Sequence, residues 1–285
     1  MIKILSWNIQ CGLGVDGLVD LSRIAAVIHE MADFDVVCLQ EVSRCDGFLT
    51  FDNPPQDQAE ILAKHFIGYR ACFGPALDRL NADNVRRSQF GNMILSRLPV
   101  LQIFNHQLPQ PLPETFCKHM PRQALEVVVA SQEGPIRVTT THLEYHSQRQ
   151  RLAQAKMLSQ IQSDITSVKN YADYAPTTGP YAPIPRPVSG ILCGDFNSAP
   201  FDQVYQVIHS GDETIGAYKD AWRLARGDEV HAPTCGIFDH QQWPEGPHCR
   251  DLFFVSGGLK ERLIDILIQS NTDASDHQPI MMTVI

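Results

Sequence analysis

What most constrains this chain is where its polar residues stand relative to its apolar runs. Ile191-Leu192-Cys193 has the composition of a buried strand, and Gly194-Asp195-Phe196-Asn197 ends it abruptly. Gly194 has no Cβ, so another backbone or a ligand can come close there. Asp195 and Asn197, two residues apart on an extended segment, are expected to point the same way. Taken alone, these residues also suit an ordinary turn. The same punctuation recurs, however. The run from Ile2 reaches Asn8, Phe34 to Leu39 reaches Gln40-Glu41, and Ile136 to Thr141 reaches His142. Leu252 to Val255 starts just after Asp251, and Pro279 to Ile285 just after Ser275-Asp276-His277. In a mixed sheet the C-terminal ends of some strands meet the N-terminal starts of strands antiparallel to them. All these polar groups can then converge on one edge, which turn preference alone does not explain.

The helical segments support that topology. Asp20 can cap a helix whose apolar positions Leu21, Ile24, Ala25, Ile28 and Met31 keep a 3.6-residue period. A strand, this helix and a second strand predict a right-handed crossover that places Asn8 and Glu41 at the same edge. Ser147 can cap another helix with an inner face of Leu152, Ala155, Leu158, Ile161, Ile165 and Val168. A short helix is expected through Leu62 and Phe66 after Asn53-Pro54-Pro55, and another over Asp202 to His209. Met93 to Ser96, Val100 to Phe104 and Ala124 to Val129 read as further strands. Residues 170–189 carry five prolines and read as a surface excursion, and 222–250 as a long polar, His- and Pro-rich loop. The expectation is one domain over residues 1–285.

Composition narrows the classes of function. The chain is 44% hydrophobic and 19% charged, as for an ordinary globular protein. No apolar run approaches the roughly 18 residues of a spanning helix, so membrane insertion is not expected. Met1 leads directly into a strand-like run without the pattern of a signal peptide, which makes a cytoplasmic location the expectation. The eight cysteines are scattered, and Cys38 and Cys193 lie inside apolar runs, so buried reduced thiols are expected. A net charge of −9 disfavours a large nucleic-acid footprint, although Arg70, Arg79, Arg86, Arg87 and Arg97 fall close together, followed by Lys118 and Arg122.

Carboxylates, amides and imidazoles gathered at a sheet edge fit metal-assisted hydrolysis. Glu41, Asp195 and Asp276, with the side-chain carbonyls of Asn8 and Asn197, form an oxygen-rich set that suits Mg²⁺ or Mn²⁺ rather than Zn²⁺. Such an ion neutralises phosphate oxygens during in-line displacement at phosphorus. His277 is the expected base for the attacking water, with Asp251 orienting it. His142 is expected to contact a phosphoryl oxygen or assist the leaving group. Arg122, or Arg86 with Arg87, can grip a substrate anion. His29, His65 and His106 read as structural or surface residues. His231, Cys235, His240, His248 and Cys249 have no spacing of a usual zinc motif, and their loop, with Trp243, is expected to shape the substrate rim.

Asn8 in Ser-Trp-Asn, Glu41 in Leu-Gln-Glu, Thr-His142-Leu, Gly-Asp195-Phe-Asn197, Asp251-Leu-Phe-Phe-Val-Ser and Ser-Asp276-His277 occur in a telling order. That order resembles the endonuclease/exonuclease/phosphatase superfamily, the deoxyribonuclease I-like metal-dependent phosphoesterases, from first strand to last. The resemblance implies an α/β fold of four layers, two mixed sheets face to face with helices outside. It implies Glu41 as main metal ligand with Asn8 beside it, and Asp195 and Asn197 handling attacking water and phosphate. An Asp251–His277 pair is implied too, and the segment containing Asn92 resembles the family's middle strand, which makes Asn92 a candidate substrate contact. Apurinic endonucleases of this superfamily have an acid two residues after the first Asn, where this chain has Gln10. They also have a tyrosine where His142 stands, a position at which this chain resembles deoxyribonuclease I and the sphingomyelinases.

The expected activity is divalent-metal-dependent hydrolysis of a phosphodiester, with the acidic balance and His142 favouring a small or lipid-type substrate over duplex DNA. A nuclease using the arginine-rich third is the alternative. A catalytically inactive binding module on the same fold would be expected to have a broken cluster, and none of these positions is broken. No protein partner is implied.

Overall fold

In the computed structural model, residues 1–46, 55–81, 84–168, 178–179, 186–209 and 216–285 are described. Among the described residues, twelve strands form two mixed sheets. The first contains β1 (Ile2–Asn8), β2 (Val36–Arg44), β3 (Arg70–Leu80), β4 (Arg87–Ser96), β11 (Leu263–Ile268) and β12 (Ile280–Val284), in the order β11-β12-β1-β2-β4-β3. The second contains β5 (Val100–Gln107), β6 (Gln123–Val129), β7 (Ile136–His142), β8 (Gly190–Asp195), β9 (Lys219–Asp220) and β10 (Asp251–Val255), in the order β5-β6-β7-β8-β10-β9. Helix α1 (Leu21–Met31) joins the parallel neighbours β1 and β2, and α3 (Gln148–Val168) lies between the parallel neighbours β7 and β8. The remaining α-helices among the described residues are α2 (Gln58–His65), α4 (Gln203–His209) and α5 (Ala221–Arg226).

Three apolar clusters account for the layers. Ile4, Cys38, Ile94 and Met282 of the first sheet pack against Val127, Val138, Ile191 and Phe253 of the second. On the outer face of the first sheet, Leu5, Trp7 and Leu39 meet Ile24 and Ile28 of α1 and Leu62 of α2. On the outer face of the second, Leu192 and Phe254 meet Ala155 and Leu158 of α3 and Val204 and Ile208 of α4. The order is helices, sheet, sheet, helices, as expected. Buried amides also join the sheets. Gln40 donates to Thr140 Oγ1 (2.7 Å), Gln123 to the Gly74 carbonyl (2.7 Å) and Asn92 to the Gln123 carbonyl (3.3 Å).

Local signals read correctly include the Asp20 cap, which accepts from Arg23 N, and Ser147, which accepts from Gln150 N. Asp202 accepts the N–H groups of Val204 and Tyr205 ahead of α4. Several strands differ from expectation. β2 does not stop at Glu41 but runs to Arg44, because a bulge between Leu39 and Val42 absorbs the extra residues. β3 and β11 are edge strands, and the first residues of the expected loop 222–250 belong to α5. Most of the excursion expected over 170–189, and the side chain of Val168, lie outside the described residues. None of the eight cysteines forms a disulfide. No helix of the described residues is long and apolar enough to cross a membrane.

Candidate active site

Register brings the polar ends together. Asn8 pairs with Gln40 across the parallel β1–β2 ladder, His142 with Asp195 across β7–β8, and Asp195 with Asp251 across the antiparallel β8–β10 ladder. Antiparallel pairing of β12 with β1 carries Asp276 and His277, which precede β12, to the same edge. Gly194 allows the β7–β8 approach: a Cβ there would stand 1.9 Å from the Thr141 carbonyl oxygen, and its φ is +136°. The close neighbour left open by the sequence is thus a backbone.

Glu41 sits in the β2 bulge with φ 57°. A regular strand would alternate its side chain with those of its neighbours; the bulge instead turns Glu41 into the cleft. Asn8 Nδ2 donates to Glu41 Oε1 (3.0 Å) and to Asp195 Oδ2 (3.1 Å), while Asn8 Oδ1 accepts the Gln10 N–H (3.1 Å). Burial, reinforced by Asp276, pushes the Glu41 carboxyl up to about 7.

Asn197, also at positive φ, does not continue the strand. It still converges with Asp195, because its N–H donates to Asp195 Oδ1 (2.8 Å) and its Nδ2 reaches both the Leu143 carbonyl (2.9 Å) and His142 Nε2 (3.0 Å). The Leu143 contact orients the amide, so Nε2 of His142 accepts and the ring carries its proton on Nδ1. That Nδ1 is buried, has no hydrogen-bond partner and lies 3.8 Å from Glu41 Oε1. Burial, aided by the charge of Arg122, holds the His142 pKa down at about 3, so the ring is neutral.

His277 faces Asp251 through Nδ1 (Oδ2 at 2.8 Å), and its Nε2 lies 3.7 Å from Asp195 Oδ2. Burial works against a charge on this ring, but Asp251, Asp195 and Asp276 outweigh it and raise its pKa. Asp195 would be raised by burial, yet the charge of His277 and the hydrogen bonds from Asn197 N–H and Asn8 hold it low. Asp251 and Asp276 are both pushed up, chiefly by burial. Trp243 donates its indole N–H to Asp276 Oδ2 (3.2 Å), and Ser275 its hydroxyl to Oδ1 (3.3 Å).

These groups open onto a cleft of about 530 Å³ lined by Glu41, His142, Asp195, Asn197, Asp276 and His277, together with Lys118, Arg122, Glu144, Tyr145 and Trp243. The sequence assigns no role to Glu144, since a continued strand would turn it away. β7 instead ends at His142, and Glu144 is buried where it accepts from Arg122 Nε (3.4 Å) and from the N–H groups of Met120 and His146. No spacing in the sequence signals that contact. Asn92 is not among the residues lining the cleft; its amide is engaged on the Gln123 carbonyl between the sheets. Arg87 pairs with Asp78 on an exposed hairpin. In the 222–250 segment, Cys235 Sγ meets His248 Nε2 (3.2 Å), while His231 is hydrogen-bonded to Asp220 (2.7 Å). Trp243 is buried and lines the cleft.

The residues fit a hard divalent cation. Glu41, Asp195 and Asp276 bring carboxylate oxygens into one cleft, and the high Glu41 pKa is what such a carboxylate has until a positive charge stands beside it. One detail differs from expectation: Asn8 and Asn197 present Nδ2 rather than Oδ1 to their neighbours, so Asn8 joins a ligand set only if its amide turns over. Among the described residues, Asp195, Asp251 and His277 also gather ligand atoms within 4.8 Å, but Asp251 and His277 are already engaged with each other.

Comparison with solved structures returns the same architecture. An endonuclease/exonuclease/phosphatase from Beutenbergia cavernae DSM 12333 is 24% identical with a TM-score of 0.68, covering 99% of this chain and 70% of that one. The Bacteroides thetaiotaomicron VPI-5482 mannosyl-6-phosphatase Bt3783 is 17% identical with a TM-score of 0.67, covering 100% of each chain. The human Nocturnin catalytic domain with bound sulfate is 21% identical with a TM-score of 0.62, covering 99% of this chain and 93% of that one. No curated protein matches the sequence. The sequence profile of the Endonuclease/Exonuclease/phosphatase family matches residues 5–277, and the chain belongs to that family.

Proposed function

We propose that this protein hydrolyses a phosphodiester with the help of a divalent cation, Mg²⁺ or Mn²⁺, and that its substrate is a small or lipid-type phosphodiester. The observation that carries this reading is the meeting of the Asp251–His277 pair with Asp195, Glu41 and His142 around a single cleft. Glu41 and Asp276, with Asn8 after amide rotation, would hold the ion. When bound, it neutralises phosphoryl oxygens and offsets the carboxylate charge that otherwise keeps His277 protonated.

The side chains divide the rest of the work. Asp251 fixes the His277 ring with Nδ1 engaged, leaving Nε2 to take a proton from an attacking water. Asp195, between the Nε2 atoms of His277 (3.7 Å) and His142 (3.4 Å), orients that water. His142, neutral and held by Asn197 beside Glu41 and Asp195, contacts a phosphoryl oxygen or assists the leaving group. Arg122, held by Glu144, supplies positive charge to the cleft.

A cleft, rather than a long basic groove, favours a compact substrate. Among the described residues, Lys118 and Arg122 are the only Lys or Arg that line it, and Arg122 is paired with Glu144. The test is hydrolysis of a bis-aryl phosphate, sphingomyelin, inositol phosphates, DNA and RNA, each with and without EDTA. The reading expects EDTA-sensitive turnover of a small or lipid diester that varies little with salt. Turnover of nucleic acid alone, with affinity falling steeply as salt rises, replaces it with the nuclease reading. EDTA-resistant hydrolysis removes the cation from the mechanism.

A further inference from the structure

The 222–250 segment reaches the acid cluster through Trp243, to which the proposed reaction gives no role. The residue is buried, and its indole N–H donates to Asp276 Oδ2 (3.2 Å). An indole carries one polar hydrogen and no acceptor, so it can hold a carboxylate without adding charge. The ring is clamped. Both backbone groups of Trp243 are engaged, its N–H on the Asp239 carbonyl (3.2 Å) and its carbonyl with the Gly246 N–H (3.0 Å). The Arg250 guanidinium lies over the ring, 4.9 Å from its centroid, and is itself fixed by donating from Nε to His248 Nε2 (2.7 Å). Tyr145, His248 and His277 stand edge-on, with centroids 6.1, 5.1 and 5.7 Å away. The direction of the indole N–H is therefore set by its own loop.

Asp276 depends on that donor. Ser275 also faces it, at 3.3 Å from Oδ1, but a hydroxyl has one hydrogen and the Asn8 carbonyl stands closer to it, at 2.8 Å. The Trp243 N–H is the hydrogen that Asp276 does not share. A carboxylate held on one oxygen keeps its plane fixed and still has the lone pairs of the other to give. A loosely held one must be ordered when it takes a ligand, at a cost in affinity.

We infer that Trp243 is a positioning residue for the cation site: by holding Asp276 Oδ2 it presents the carboxylate in the orientation that binds the ion. It acts on the ion only through Asp276, so the inference rests on the reading of Asp276 as a ligand. The long loop between α5 and β10 thereby sets affinity for the cation as well as shaping the cleft.

Two measurements test this, neither of them a rate. In the first, Mn²⁺ is titrated by calorimetry into the EDTA-stripped full chain, as wild type, Trp243→Phe and Glu41→Ala. Phe keeps an aromatic ring in the clamp and loses the N–H. Trp243→Phe is expected to bind Mn²⁺ about 10- to 100-fold more weakly than wild type, the usual loss when a partner of a metal ligand is removed. If Glu41→Ala weakens binding and Trp243→Phe does not, this inference alone is overturned. If wild type takes up no Mn²⁺, or both variants titrate like it, the cation reading beneath it fails as well. The second measurement uses the wild type, isotope-labelled at its indole nitrogens, with the signals assigned through Trp7→Phe and Trp222→Phe. The Trp243 N–H resonance is expected to move with Mg²⁺, because the ion draws electron density from the carboxylate that accepts this hydrogen. The Trp222 N–H, which donates to the Glu229 carbonyl (3.1 Å), is expected to stay in place. A Trp243 signal that does not move as Mg²⁺ binds overturns the inference, including where Trp243→Phe fails to fold.

Discussion

Asn8 and Asp195, 187 residues apart and on different sheets, are joined by an amide–carboxylate hydrogen bond of 3.1 Å. The bond crosses the seam of the sandwich, and the other Asn8 hydrogen holds Glu41 of its own sheet. The site is therefore assembled by packing one sheet on the other.

That arrangement bears on the cation. Mg²⁺ or Mn²⁺ at about a hundred times its Kd is expected to stabilise the wild type by about 2.7 kcal/mol. Glu41→Ala should need at least about 10- to 100-fold more ion for the same rise in Tm, because it removes the carboxylate aimed into the cleft. Thermal unfolding over an ion titration, with EDTA as the baseline, is the measurement. Identical titrations for the two proteins would remove Glu41 from the ligand set.

The base is tested at His277 and Asp251. His277→Ala should lower kcat by about 10² to 10⁴ while circular dichroism stays native. Asp251→Asn, which keeps the shape and loses the charge that favours a proton on the ring, should lower kcat with little change in KM. Wild-type rates in either variant would retire the mechanism.

Away from the site, Glu126 predicts the acid limb of stability. Burial would raise its pKa, but the His106 ring, with Nε2 3.6 Å away, and the charges of Arg137 and Arg186 overcome this and hold it at about 2. An acid with a folded pKa below its unfolded value of 4.5 contributes stability that is fully present above about pH 4.5 and is lost as pH falls towards 2. The contribution is on the order of 3 kcal/mol. Denaturant midpoints measured from pH 6 to about pH 2.5 should fall less steeply in Glu126→Gln than in the wild type. Parallel curves would show that this carboxylate is not the one protonated.

Gly194→Ala should cost more than about 2 kcal/mol, because the new methyl meets the Thr141 carbonyl at a φ few residues adopt. The β7–β8 ladder sets His142 against Asp195, so activity should fall further than occupancy of the folded state explains. Calorimetry together with kcat on refolded protein checks both halves. A variant as stable and active as wild type would show that the strands can separate without cost.

The positions read directly from the sequence are those governed by short-range rules. Asn8, His142, Asp195, Asp251 and His277 stand where an apolar run starts or stops, and Asp20 and Ser147 carry side chains that cap the helices beginning beside them. Burial of apolar faces at helical and strand periods is enough to order those elements and bring their ends to one edge. Nothing local announces the bulge that turns Glu41 inward, the left-handed turn at Asn197 or the burial of Glu144 on Arg122. Nor is there a local sign that Asn92 is spent between the sheets, or that His231 belongs with Asp220. Each is the outcome of competition for a buried partner contributed by a segment distant in sequence, and that choice is made only when the two sheets pack and exclude water.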